Sequence, residues 1–229
     1  MNFDIIIQCR FSSSRLKGKI LYEFDNSSFL DFLLKNIKKA KSIRNVIIAV
    51  PFDKYVEIFK LIARKNKVKF FFSNNAKEKD VLKRYYLCSK KFKTDNVIRV
   101  TSDCPFINPI IIDQMVSYYK NNKLNFLTNN KPRYLPLGFD CEIISKDLLH
   151  TTYNKAKTLY EKEHVTPWIY KNIFKKKNNL QIVNENLSKI RLTLDYEKDY
   201  IKFQKNIELL KNIAKKKNYM KFLKMNFIN

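Results

Sequence analysis

The chain has 229 residues, enough for one sizeable α/β core and too few for two full domains. Its 46 Lys and Arg against 21 Asp and Glu leave a formal charge of +25 spread along the whole chain, explained either by a polyanionic partner or by compositional drift toward Lys, Asn, Ile, Phe and Tyr. Four scattered cysteines without a C-x-x-C pair indicate neither a disulfide framework nor a zinc site, no run reaches the roughly 18 apolar residues that span a bilayer, and no basic leader precedes the first strand pattern; a soluble, unexported, cytoplasmic protein is expected.

Short runs of β-branched and aromatic residues recur at 4–8, 45–50, 68–72, 96–100, 124–128, 140–144, 180–183 and 189–194, and each reads as a strand. Between most of them the apolar spacing is helical. Phe29, Leu33 and Ile37 form one stripe behind a Ser28-x-x-Asp31 cap, Tyr55, Phe59 and Ile62 a second, and Val81, Leu82, Tyr85 and Tyr86 a third. Asn108 followed by Pro109 opens a fourth helix. Strands alternating with helices give βαβ units and a mainly parallel sheet, here one domain over 1–229. Residues 199–229 read as a C-terminal helix covering the outside through Ile207, Leu210 and Ala214, and the lysine runs at 175–177 and 215–217 as solvated helix ends.

Ligands of an open α/β sheet bind beyond the carboxyl ends of its strands, and that rule selects three segments. The first, "RFSSSRLKGK", follows the first strand and gathers Arg10, Arg15, Lys17 and Lys19 around small serines that let backbone N–H groups approach an anion. Gly18 and Gly138 are the only glycines; in a chain so poor in them, both are expected at backbone conformations closed to other residues. The loop matches neither the P-loop nor the G-x-G-x-x-G pattern. The second segment, "RVTSDCP", sets Asp103 after a strand, where it either caps a turn or holds a nucleotide-bound Mg²⁺. The third, "RLTLDYEKD", sets Asp195 after another strand, so that two carboxylates converge on one metal. Arg99 and Arg191 lie inside strands as buried partners or edge charges. His164, read at the start of an amphipathic helix, either orients a substrate hydroxyl, acts as a general base, or is a structural hydrogen-bonding residue; His150 carries no signal.

Six motifs in chain order then match one family. Gln8-Cys9-Arg10 through Ser13-Ser14-Arg15-Leu16-Lys17-Gly18-Lys19, Asp80-Val81-Leu82-Lys83-Arg84-Tyr85 and Arg99-Val100-Thr101-Ser102-Asp103-Cys104-Pro105 are the first three. The spaced set Asn130, Arg133, Pro136, Gly138, Asp140 and Glu142, then Glu163 to Pro167 and Leu192 to Asp195, complete the series. From residue 4 to about 200 the chain resembles the cytidylyltransferases that include CMP-sialate and CMP-Kdo synthetases, and within them the branch of spore coat polysaccharide biosynthesis protein F. Lys17 stands where the branch has proline, and Ser12 and Ser102 where it has glycines.

The resemblance implies a three-layer α/β/α Rossmann-like nucleotidyltransferase fold of the GT-A kind. It implies transfer of CMP from CTP to a sugar-like acceptor, a nonulosonic acid or related surface-polysaccharide precursor, with Mg²⁺ as cofactor and pyrophosphate released. Arg10, Lys19 and Asp103 are the expected catalytic residues. Gln8, Arg10, Ser13, Arg15, Gly18, Lys19, Asp80, Arg84 and Ser102 are expected to bind nucleotide, and Asp103 and Asp195 the metal. Asn130, Arg133, Asp140, Glu142, Glu163 and His164 are expected to line the acceptor pocket. A homodimer is implied, with no nucleic-acid partner and no membrane insertion. The competing readings are a nucleotidyltransferase using a sugar 1-phosphate and, from another class, a basic nucleic-acid-binding protein; no nucleic-acid motif and no D-x-D metal motif of a glycosyltransferase is present.

Overall fold

A computed structural model describes residues 1–13 and 15–213. Its sheet has six strands in the order β5 (Lys69–Ser73), β4 (Asn45–Pro51), β1 (Phe3–Gln8), β6 (Asn96–Thr101), β8 (Glu142–Ser145) and β7 (Phe126–Thr128). Neighbours from β5 to β6 run parallel, and β8 alone is antiparallel to both of its neighbours. A two-stranded ribbon, β2 (Glu23–Phe24) with β3 (Ser27–Ser28), follows the first loop.

Alternation along the central strand explains the three layers. In β1, Phe3, Ile5 and Ile7 point to one face and Ile6 to the other, all fully or nearly fully buried, as strands covered on both sides require. The first face is covered by α1 (Phe29–Ile37), α2 (Val56–Lys65), α4 (Pro109–Asn121), α8 (Glu197–Lys205) and α9 (Ile207–Ile213). The second is covered by α3 (Val81–Lys91), α5 (Lys146–Lys155) and α7 (Pro167–Asn172), with the short α6 (Leu159–His164) beside α3. This is the expected three-layer α/β/α architecture around a mixed, mainly parallel sheet. Cys9, Cys88, Cys104 and Cys141 are free and buried.

The helix starts follow the caps legible in the sequence. Ser28 and Asp31 form a capping box, and Asn108 accepts from the Ile110 amide with Pro109 in the first turn. Asp31 does more than cap: Oδ2 also faces Lys65 at 3.1 Å, and Oδ1 accepts from Asn66 at 2.6 Å.

Several expected elements differ. Residues 180–183 and 189–194 form no strand: an isolated bridge joins Thr128, the last residue of β7, to Asn179 just ahead of the first stretch, and another joins Leu137 to Arg191 in the second. The strands expected at 124–128 and 140–144 begin only at Phe126 and Glu142. The single helix expected from residue 199 is broken at Asn206, whose φ of −119° leaves the helical region and separates α8 from α9. Its remainder, including Ala214 and the lysine run at 215–217, lies outside the described residues, as does Ser14. Lys175–177 belong to a 3-10 turn, not to an α-helix end.

Burial opposes the charge of Asp31, but hydrogen bonds from Asn66, Ser28 and Lys65 outweigh it and hold its carboxyl below the ordinary 3.8. The stability this confers is fully present above the unfolded value and is lost as pH falls through the lower folded one. Asp31→Asn is expected to cost about 1–3 kcal/mol near neutral pH by mismatching two donors. The melting-temperature gap to wild type should close below pH 3.8; a gap independent of pH would refute the assignment.

Candidate active site

Strand order reverses on either side of β1, since the chain proceeds from β1 to β4 and β5 and then returns to β6 on the other flank. The carboxyl ends of β1 and β6 therefore part around a crevice. A cavity of about 340 Å³ opens there. Gln8, Arg10, Ser13, Arg15 and Lys19 line it from the first loop, and Thr101, Ser102 and Asp103 from the end of β6. Val81 and Tyr85 of α3, Arg99 of β6, and Glu163 and His164 of α6 close the remaining sides.

Backbone geometry sets the first loop. Gly18 has φ +63° and its amide donates to the Phe11 carbonyl at 2.9 Å; a Cβ here would lie 2.9 Å from the Phe11 ring. The turn begins a 3-10 segment, Lys19–Leu21, that carries the Lys19 side chain inward. Its ammonium donates to Asp103 Oδ2 at 3.1 Å and to Asp195 Oδ1 at 2.9 Å. Arg15 donates to the same Asp195 oxygen at 2.5 Å, and Arg191 to Oδ2 at 2.7 Å. Burial disfavours the Asp195 carboxylate, yet Lys19, Arg15 and Arg191 hold its carboxyl below the ordinary range.

The 189–195 segment reaches this point through Gly138, at φ +111°. Leu137 donates to the Ile190 carbonyl at 2.9 Å and accepts from Leu192 at 2.8 Å, and the Leu194 amide donates to Asp103 at 2.9 Å. A Cβ on Gly138 would stand 2.7 Å from the Leu192 carbonyl oxygen. Both glycines thus occupy the positive-φ conformations that their scarcity suggested.

Arg10 lies between Glu163 at 3.3 Å and Glu78 at 3.8 Å, and Ser12 bonds the same Glu78. The hydroxyl at position 12 therefore ties the first loop to the 74–80 segment. Arg84 is fully buried: Nε donates to Gln8 Oε1 at 2.7 Å and the terminal nitrogens to the Lys77 and Glu78 carbonyls at 2.9 and 2.7 Å. Burial, with the charge of Arg10 added, pushes its pKa down to about 10, so it remains charged at neutral pH. Neither Arg84 nor Asp80, expected to bind nucleotide, lines the cavity. Every terminal nitrogen of Arg84 is committed to the protein, and Asp80 caps α3 through the Lys83 amide. Arg84 holds Gln8, a residue of the cavity wall whose buried Nε2 has no hydrogen-bond partner.

A second cavity, of about 730 Å³, shares Arg99 and His164 with the first. Asn130, Arg133 and Glu142 line it, with Lys131, Tyr160, Thr166, Tyr170 and Lys171. Asp140 does not; it is bound bidentately by Arg133. Glu163 lines the first cavity alone. Buried Glu142 accepts from Arg99 at 2.7 Å and from Tyr170 at 2.7 Å. Burial works against the Arg99 charge, and the adjacent Glu142 more than compensates, raising the guanidinium above its ordinary value. Arg99 is thus the partly buried partner of a buried carboxylate, with Nε left unpaired.

His164 is the last residue of α6, not the start of a helix. Val165 after it is fully buried with φ +71° and ψ −55°, and the Thr166 amide donates back to the His164 carbonyl at 2.8 Å, a strained γ-turn that fixes the histidine at the edge of both cavities. Sequence reasoning missed Glu78, Tyr85, Lys131 and Tyr170. Tyr85 sits on a core stripe, and the other three carry no pattern.

The Mg²⁺ expected from the sequence fits this donor set. Asp103 and Asp195 offer hard oxygens already converging on one positive charge, and the adjacent cavity has room for phosphate oxygens to complete a shell. Among the described residues no group of three or more His, Cys, Asp or Glu could hold a metal.

Comparison with known proteins agrees with this geometry. The cytidylyltransferase family profile matches residues 5–225. The chain belongs to the cytidylyltransferase family. It is 33% identical over 213 residues to an uncharacterised protein of Methanocaldococcus jannaschii, covering 90% of this chain and 84% of that one. It is 26% identical over 211 residues to the spore coat polysaccharide biosynthesis protein SpsF of Bacillus subtilis, covering 85% and 82%. A solved cytidylyltransferase from Leptospira borgpetersenii superposes with a TM-score of 0.85 at 31% identity, over 98% of this chain and 93% of that one. A CMP-2-keto-3-deoxy-manno-octonic acid synthetase solved with CTP superposes at 0.68 and 16% identity, over 92% and 98%, which supports the fold. The chain is a nucleotidyltransferase by family, and no helix among its described residues is long and apolar enough to cross a membrane.

Because Gly138 touches backbone rather than a movable side-chain end, Gly138→Ala is expected to cost about 1–3 kcal/mol. At about 2–4 °C per kcal/mol for a chain of this size, the melting temperature should fall by several degrees. An unchanged melting temperature would show that the 138–192 packing does not fix Asp195.

Proposed function

We propose that the protein transfers CMP from CTP to a hydroxyl of a sugar-like acceptor and releases pyrophosphate. One observation carries the reading: a cation-lined cavity at the switch point, containing the Lys19–Asp103–Asp195 cluster, adjoins a second polar cavity through Arg99 and His164. The first takes the triphosphate and the second the acceptor. CTP bound to a relative of the same fold supports this choice of nucleotide.

Arg10, Arg15 and Lys19 neutralise the triphosphate and the charge that grows on the departing pyrophosphate, so catalysis rests on positioning and electrostatic stabilisation. Gln8 Nε2, presented by Arg84, donates to the nucleotide, and Ser13 and Ser102 line its path. The acceptor oxygen forms its bond to the α-phosphorus as the bond to the β-phosphate oxygen breaks; the hydroxyl proton passes toward His164. Asp103 and Asp195 would hold Mg²⁺, which when bound supplies charge neutralisation and lowers the pKa of a coordinated hydroxyl. Lys131, held over the Tyr170 and Phe174 rings, and Lys171 place two cations on the acceptor cavity, which favours an acceptor carrying an acidic group.

Thermal unfolding with CTP, UTP, GTP or ATP, each with and without Mg²⁺, tests the nucleotide. A ligand at about 100 times its Kd adds roughly 2.7 kcal/mol, an upshift of roughly 5–10 °C for CTP with Mg²⁺. Equal shifts with every nucleotide that vanish in salt would overturn the reading. Pyrophosphate release with an acidic sugar acceptor follows, and Lys19→Ala should slow it by about 10²-fold or more with the fold intact.

A further inference from the structure

The triphosphate cavity is not an unpaired positive surface. Arg10 is shared by Glu78 and Glu163, Lys19 by Asp103 and Asp195, and Arg15 rests on Asp195. Arg191 completes the group, joined to Asp195 and to Asp199, which in turn accepts from the Asp195 amide at 2.9 Å. Four cations thus face five carboxylates, and every cation of the proposed cradle is already paired.

This pairing obstructs each ligand alone. A triphosphate entering without a metal takes cations from carboxylates that then repel it. A divalent cation entering without a triphosphate meets carboxylates held by ammonium and guanidinium groups. Both penalties disappear when the ligands arrive together, because the cations turn to phosphate and the carboxylates to metal. Lys19 is the point of exchange. It bridges the two proposed metal ligands, its side chain is 11% exposed, and Gly18 fixes the turn that carries it.

We propose that Lys19 is a resident counter-ion that makes the nucleoside triphosphate and the divalent metal bind interdependently, a property that rests on the triphosphate reading of the cavity. Reciprocity follows: whatever factor the metal adds to nucleotide affinity, nucleotide adds to metal affinity.

Mn²⁺ serves as probe, followed by electron paramagnetic resonance of the free ion and by titration calorimetry on the full chain, with no acceptor present. Wild type should bind CTP about tenfold or more tightly with Mn²⁺ than without it, and should bind Mn²⁺ weakly when nucleotide is absent. Lys19→Met frees Asp103 and removes the cation that Asp103 and Asp195 share, leaving Asp195 with Arg15 and Arg191, so its affinity for Mn²⁺ alone should rise by about tenfold or more. Lys19→Arg should stay near wild type, and Lys19→Met with Asp195→Asn should lose the gain. Tight CTP and Mn²⁺ binding by wild type, with no gain in Lys19→Met, overturns the counter-ion role and leaves the nucleotidyltransferase reading intact. No binding of CTP with Mn²⁺ to wild type overturns both. Should Lys19→Met not fold, the wild-type coupling alone decides, and independent binding of the two ligands refutes the proposal.

Discussion

A buried ammonium that cannot be left alone organises this molecule. Lys19 is only 9% exposed, and an unpaired charge at that depth would cost several kcal/mol, so the carboxylates that meet it are as structural as they are chemical. The pairing joins the first loop, the end of β6 and the extended 189–195 segment, which are distant in sequence and share no strand pairing along their length. The two glycines serve this convergence. One turns the chain so that Lys19 faces inward, and the other lets the 189–195 backbone approach closely enough to deliver Asp195.

The sheet supplies the frame. β1 lies between two parallel neighbours with both faces buried, so its carboxyl end is held from either side where Gln8 and Arg10 leave it. Arg84 extends the frame outward by bracing Gln8 against the carbonyls of residues 77 and 78. Removing its guanidinium would take the donor from Gln8 Oε1 and from the Glu78 carbonyl, which explains why a charged side chain is retained in a fully buried position.

Much of this was legible in sequence because the signals were local and periodic. The β-branched runs, the Ser28–Asp31 box and Asn108–Pro109 announced strands and helix starts through short-range chemistry. The stretches at 180–183 and 189–194 have the same composition as strands, yet the chain beside them meets the rest of the molecule through isolated bridges, a tertiary fact no window of sequence contains. The basic loop and its two aspartates stood out because glycine and strand ends are recognisable. The partners of Arg84 were not legible for the opposite reason: an arginine in a helical motif looks the same whether it meets a ligand or a set of carbonyls. Glu78 and Tyr170 matter only through partners far along the chain, Ser12 and Arg10 for one and Glu142 for the other.

The two cavities also divide the chain by order. Apart from Glu163 and the shared His164, the first is built from residues 8–20 and 81–103; apart from the shared Arg99, the second is built from residues 130–171. A mutation in the later stretch can reshape one chamber while the charge cluster in the other is left untouched. Such a layout permits divergence by halves: descendants of a common ancestor can exchange what they modify while inheriting unchanged what they modify it with.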